Sequence, residues 1–233
     1  VNRAEFVSGT IAALAAPIHA NKASAGITAV VTLSREGSAL LAPFLVAIAL
    51  HNPTGRVVRL KFPTADLFRV DVLLDDTPVW SSATQHKPIP ITRQLDVPPG
   101  PLKLAQQLVD GTTDDHRAFK PGRYIVRVAM LATGFGVLVD NAISFDAPTT
   151  IAQALVAKPG AVTTVAGVPY IDGGIPRLRD ATGTMRLSHA LGIAVSGTWI
   201  VRGFPDADGD ERVFDIGRAA PSWDNAPSPK PML

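Results

Sequence analysis

Arg56-Val57-Val58-Arg59-Leu60-Lys61-Phe62 alternates: Val58, Leu60 and Phe62 fall on one side of an extended chain, Arg59 and Lys61 on the other. Successive side chains of a strand point to opposite faces, so this pattern builds a strand with one dry and one wet face. Tyr124-Ile125-Val126-Arg127-Val128 repeats it, with Tyr124, Val126 and Val128 together and Arg127 opposite. A sheet buried on one face and solvated on the other is antiparallel in character.

Further strands are expected at 26–34, 45–51, 67–74, 77–81, 102–109, 122–131 and 142–145. Asn52-Pro53-Thr54-Gly55, Asp75-Asp76, Pro98-Pro99-Gly100 and Pro121-Gly122 punctuate them, and short strands at this spacing suggest a sandwich. With 20 prolines, 19 glycines and 46% hydrophobic residues, the composition suits a turn-rich all-β chain with a sizeable core. Phe62, Phe68, Trp80 and Tyr124 are the expected large core side chains, with the Tyr124 hydroxyl bonded to backbone.

The stretch from about Leu45 to Leu131 resembles the BsuPI family, intracellular proteinase inhibitors with an immunoglobulin-like β-sandwich. Four pieces in order carry the resemblance. They are Leu50-His51-Asn52-Pro53-Thr54, then Val57-Val58-Arg59-Leu60-Lys61-Phe62-Pro63-Thr64 leading into Leu67-Phe68-Arg69-Val70-Asp71-Val72, then Pro78-Val79-Trp80-Ser81. Last come the turns in Leu95-Asp96-Val97-Pro98-Pro99-Gly100 and Phe119-Lys120-Pro121-Gly122-Arg123-Tyr124. The chain departs from the family in having Leu67 before Phe68 and Ser81-Ser82-Ala83-Thr84 after Trp80.

The resemblance implies a sandwich over 26–147 and a protein partner, with a serine protease of the subtilisin type as its specific form. An inhibitor must offer an extended segment that docks like an added strand. Ser82-Ala83-Thr84-Gln85-His86-Lys87-Pro88-Ile89-Pro90-Ile91 is the first candidate, with Thr84, Gln85, His86, Lys87, Pro88, Ile89 and Pro90 as binding residues. Pro88 and Pro90 favour extended geometry in the residues before them. Asp110-Gly111-Thr112-Thr113-Asp114-Asp115-His116 is the second. An ordinary solvated connection is the competing reading of both.

Past a boundary near 147–149, Thr149-Thr150-Ile151-Ala152-Gln153-Ala154-Leu155-Val156 reads as a short helix, and strands are expected at 162–171, 176–179, 192–203 and 212–216. Residues 149–217 resemble an OB-type barrel, which implies that Gly167 bends a strand and that Asp180 to Gly183 form a turn. Barrels of this kind bind oligonucleotides or oligosaccharides through basic and aromatic side chains. Arg177, Arg179, Arg186, Tyr170 and Trp199 are the ones available here, and with a formal charge of +2 and no basic stripe, no nucleic acid is expected. Prolines 221, 227, 229 and 231 make 218–233 read as a disordered tail.

Residues 1–20 place Arg3 before an Ala-rich apolar run and small residues, the order of a secretory signal peptide, so an exported protein is expected. Arg3-Ala4-Glu5-Phe6-Val7 also resembles a twin-arginine signal with one of its arginines; an amphipathic helix is the competing reading. No run is long enough to suggest a membrane-spanning helix.

No cysteine is present, which excludes disulfides, thiolate metal sites and a cysteine nucleophile. Gly-x-Ser-x-Gly, His-Glu-x-x-His and a phosphate-binding glycine loop are absent, so no catalysis and no cofactor are expected. Asp206-Ala207-Asp208-Gly209-Asp210-Glu211 mimics a calcium loop, but its sixth and twelfth positions hold Glu211 and Gly217 where Gly and an acid are needed. An acidic hairpin between Phe204 and Val213 is expected instead, and no metal. Two functions remain: a protein-binding module, with protease inhibition as its specific form, and a cell-envelope structural or adaptor protein. An unrecognised hydrolase site is a distant third.

Overall fold

The computed structural model describes residues 26–35, 37–85, 88–134, 138–191, 197–208 and 211–225. Its first unit contains β1 (Thr28–Arg35), β2 (Phe44–Asn52), β3 (Val58–Phe62), β4 (Phe68–Leu74), β5 (Thr77–Ser81), α1 (Ser82–Gln85), β6 (Arg93–Val97), β7 (Gly100–Val109), β8 (Gly122–Met130) and β9 (Leu138–Phe145). The second contains α2 (Ile151–Val156), β10 (Thr163–Asp172), β11 (Ile175–Arg179), β12 (Thr184–Leu187), β13 (Trp199–Asp208) and β14 (Glu211–Pro221). The chain is all-β in class, as its alternation requires.

One sheet runs β1-β2-β7 and the other β5-β4-β8-β9, with β3-β6 a two-stranded ribbon beside them. Alternation places Leu60 and Phe62 inside and leaves Arg59 and Lys61 exposed. Asn52 holds the corner where β2 gives way to β3. Its Nδ2 donates to the carbonyls of Arg56 and Val97, each at 2.8 Å, and its Oδ1 accepts from the Thr54 amide at 3.0 Å. A buried amide with both ends bonded fixes the turn without leaving an orphan polar group. Asp75 and Asp76, at φ +49° and +61°, make the tight hairpin between β4 and β5.

Phe62, Trp80 and Tyr124 are buried in the sandwich core, as expected. Phe68 is not: it is half-buried against the edge of that core. The Tyr124 hydroxyl donates to the Lys120 carbonyl at 2.8 Å, and Phe119 and Phe145 pack on its ring with centroids 5.3 and 5.5 Å away.

The second unit is a closed barrel in the order β10-β11-β12-β14-β13, with β13 pairing back to β10 and β12 lying parallel to β14. This is the five-stranded OB-like architecture. Ile151 and Ala154 of α2 enter its core. Gly167 is required where strands touch, since a Cβ there would lie 2.8 Å from the Arg179 carbonyl oxygen. Gly203, at a bulge, is tighter: a Cβ would sit 1.9 Å from the Asp215 carbonyl oxygen.

Several expectations are corrected. The sequence pattern does not mark β6 and β12 as separate strands, and β13 and β14 extend beyond the expected 192–203 and 212–216, to Asp208 and to Pro221. Residues 192–196 of the expected 192–203 strand lie outside the described residues, as do 1–25 and 226–233. The first part of the expected disordered tail is folded: β14 runs to Pro221, and Ser222 is buried. Pro221 lacks an N–H but ends its strand, and its carbonyl accepts from the Ala118 amide of the sandwich at 3.0 Å. Trp223 then packs against the sandwich core. Ile200 of β13 and Ala220 of β14 are themselves buried in that core, so the barrel completes it. The Thr164 hydroxyl also donates to the Leu40 carbonyl across the junction at 3.2 Å.

Candidate partner-binding loop

The segment between β5 and β6 begins as a helical turn, not as an extended loop. Ser81 Oγ accepts from the Ala83 amide at 3.2 Å, and Thr84 Oγ1 lies 2.7 Å from the Ser81 carbonyl oxygen, which shares the one Thr84 hydroxyl proton with a second acceptor. Hydroxyl side chains bonding local backbone favour such a turn over extended chain. Buried Ser82 ties it to the sheet by accepting from the Val70 amide at 3.0 Å. Thr84 and Gln85 are therefore α1 residues, and His86 and Lys87 lie outside the described residues.

Asp114 brings the two candidate loops together. Its Oδ1 accepts from Thr84 Oγ1 at 2.6 Å, Gln85 Nε2 at 3.1 Å and the Ser81 amide at 3.3 Å. The segment 110–116 thus buttresses α1. It is shaped by Asp110, whose Oδ1 accepts from the Thr112 amide at 3.1 Å, and by His116 at φ +59°.

The proline-framed part follows. The Ile89 carbonyl accepts from the Ala65 amide at 3.0 Å and from the Ile91 amide at 2.8 Å. Pro88 and Pro90 are exposed, and so are the isoleucines, Ile89 by 55% and Ile91 by 62%. Two residues past Ile91, Arg93 begins β6 and pairs with Phe62. Two hollows of about 270 Å³ each flank the loop's base. Asp66, Phe68 and Ser82 line both, Pro88 and Leu131 line one, and Leu104 lines the other. The half-buried position of Phe68 makes it the shared wall of those hollows rather than core filler.

A larger hollow of about 460 Å³ lies at the junction of the units, lined by Val79, Asp115, Arg117, Tyr124 and Trp223 among others. Its Arg117 guanidinium donates to the Trp223 carbonyl at 3.4 Å, so it belongs to the seam that holds the C-terminal segment.

On the barrel, Tyr170, Arg177 and Arg186 lie opposite one another across β10, β11 and β12. Arg179 sits 5.4 Å from the Tyr170 ring centroid, and Arg177 faces Asp172 at 3.4 Å. Trp199 packs on the barrel core instead of joining that face. Asp180 forms the expected turn and does more. Its Oδ1 accepts from the Thr182 amide at 2.7 Å and the Gly183 amide at 3.0 Å, while Oδ2 accepts from the Ile151 amide at 2.8 Å, capping α2. Burial works to raise its pKa, but these bonds outweigh it and hold the carboxyl below its ordinary value.

Asp206 and Asp208 sit on β13 and pair antiparallel with Val213 and Glu211 of β14, while 209–210 between them lie outside the described residues. Among the described residues, no group of three His, Asp or Glu side chains is arranged to hold a metal ion. Among the described residues, no helix is long and apolar enough to cross a membrane.

The fold and the loop define an all-β protein in which an immunoglobulin-like sandwich and an OB-like barrel share a core, and a pinned proline loop projects from the sandwich. No protein-family model matches the chain, and no curated protein matches it.

Proposed function

We propose that the chain is a non-catalytic protein-binding module, exported from the cell, that binds its partner through residues 88–91. The supporting observation is the contrast within that loop. Ile89 and Ile91 are more than half exposed, while the backbone is held by the bond from Ala65 to Ile89 and by Pro88 and Pro90 on either side of Ile89. Apolar side chains carried on a restrained backbone in water cost little backbone freedom on docking, and this favours binding over mere connection. The resemblance to proteinase inhibitors gives the partner its specific form, a subtilisin-like serine protease.

Titration of subtilisin with the intact chain tests this. Stoichiometric loss of protease activity at micromolar chain is the expected result. Full activity in excess chain removes the inhibitor form.

A second reading, an envelope adaptor without inhibition, draws on the shared core of the two units. Ile200 and Ala220 lock the barrel to the sandwich, and this suits a rigid spacer. Recovery of an envelope protein on the immobilised chain, with protease unaffected, favours it.

A further inference from the structure

Within the inhibitor reading, we infer that Ile91–Thr92 is the bond offered to the protease, with Ile91 filling a primary pocket that takes a branched aliphatic side chain. The loop sequence Lys87-Pro88-Ile89-Pro90-Ile91-Thr92 narrows the choice. Bonds to a proline nitrogen are poor protease substrates, because the ring occupies the leaving nitrogen and no N–H is present there. That sets aside Lys87–Pro88 and Ile89–Pro90.

Carbonyl geometry sets Ile89 aside a second time. A serine protease holds the carbonyl oxygen of the anchor residue in its oxyanion hole. The Ile89 oxygen already accepts from the amides of Ala65 and Ile91, so reaching that hole would break both bonds. The bond from the Ile91 amide back to Ile89 closes a three-residue turn at Pro90, with Ile91 the more exposed of the two isoleucines.

The flanks account for inhibition rather than digestion. The protease hydroxyl adds to the Ile91 carbonyl carbon, and its proton passes through the protease base to the Thr92 nitrogen as the Ile91–Thr92 bond breaks. The new amine cannot leave. Arg93, the next residue, is paired to Phe62, and Ile89, two residues before the ester, is bonded to Ala65. Held against the ester, the amine attacks it, restores the peptide bond and returns the proton and the free hydroxyl. Orientation of this kind favours the intramolecular reverse step over attack by water.

A specificity exchange tests the assignment. The intact chain and its Ile91→Arg and Ile89→Arg variants are titrated against subtilisin and against trypsin, whose acidic pocket requires a basic anchor. Ile91→Arg is expected to tighten trypsin inhibition on the order of a hundredfold, while Ile89→Arg leaves it unchanged. Thermal melting verifies that each variant is folded, and Ile91→Lys serves where Ile91→Arg is not. No gain against trypsin from a folded Ile91 variant, or an equal gain from Ile89→Arg, overturns the assignment while wild-type inhibition of subtilisin upholds the broader reading. Failure of the wild-type chain against subtilisin, with no gain in any variant, removes both.

Discussion

Thr84 donates its hydroxyl to Asp114 Oδ1 at 2.6 Å, across 30 positions of sequence. That one carboxylate oxygen also receives Gln85 and the Ser81 amide, so a side chain from another loop joins Ser82 in anchoring the base of the candidate loop. Asp114→Ala is expected to destabilise the chain by about 0.5–1.5 kcal/mol, the usual net worth of such a bond, because water can replace Asp114 at the exposed Thr84 and Gln85 donors. The sharper readout is local. Limited proteolysis should cut between 82 and 91 several-fold faster in the variant, with Asp114→Asn intermediate because it keeps an acceptor oxygen.

Alkali should unmask Tyr124. Burial raises its pKa to about 12, opposed by the hydrogen bond to Lys120 and reinforced by the nearby Asp75 charge. The folded state therefore holds this proton more tightly than the unfolded chain, whose tyrosine titrates near pH ~10. Its stabilising effect is full below pH ~10 and is lost as pH rises through about 12. The melting temperature of the parent should fall steeply across that window, and that of Tyr124→Phe less so.

Asp180 runs the other way. Its folded-state pKa lies below the ordinary value, so its contribution is present above the unfolded pKa near ~3.9 and fades as pH falls through the folded one. Asp180→Ala should cost about 2 kcal/mol at neutral pH, since the α2 cap and the turn lose their common acceptor. The difference between parent and variant should shrink in acid melts below pH ~4. A difference constant with pH would count against the arrangement.

Gly203→Ala places a methyl 1.9 Å from the Asp215 carbonyl oxygen, with backbone on the opposing strand as the obstacle. Relief requires the β13–β14 ladder to shift, so a loss of about 3 kcal/mol or more is expected. Gly217→Ala, whose Cβ would meet its nearest neighbour at 3.5 Å, is the matched control and should perturb urea melts far less.

Local chemistry carried the legible part of the fold. Alternation in 56–62 and 124–128 identified inward and outward faces, and the Tyr124 hydroxyl has the backbone partner its burial demanded. Asp180 also occupies the role that turn chemistry assigns it, whereas Gly167, expected to bend a strand, is required for close approach to Arg179. Long-range partners were not legible. Nothing near Ser81 in sequence announces Asp114, so a helical turn stood where extended chain was expected. Proline content likewise misrepresented 218–225, because a strand's last residue needs no N–H and Trp223 brings apolar surface to bury. In the loop itself, the prolines were visible from the start, but the inward Ile89 carbonyl was not, since its direction depends on Ala65 in a different connection.

The core shared by the two units also has a consequence for synthesis. A ribosome delivers the sandwich first, yet Ile200, Ala220 and Trp223 complete or cover that core, and they emerge dozens of residues later. Until they arrive, the nascent sandwich must wait with part of its apolar interior open to water. An aggregation-sensitive interval is thus written into the order of translation itself.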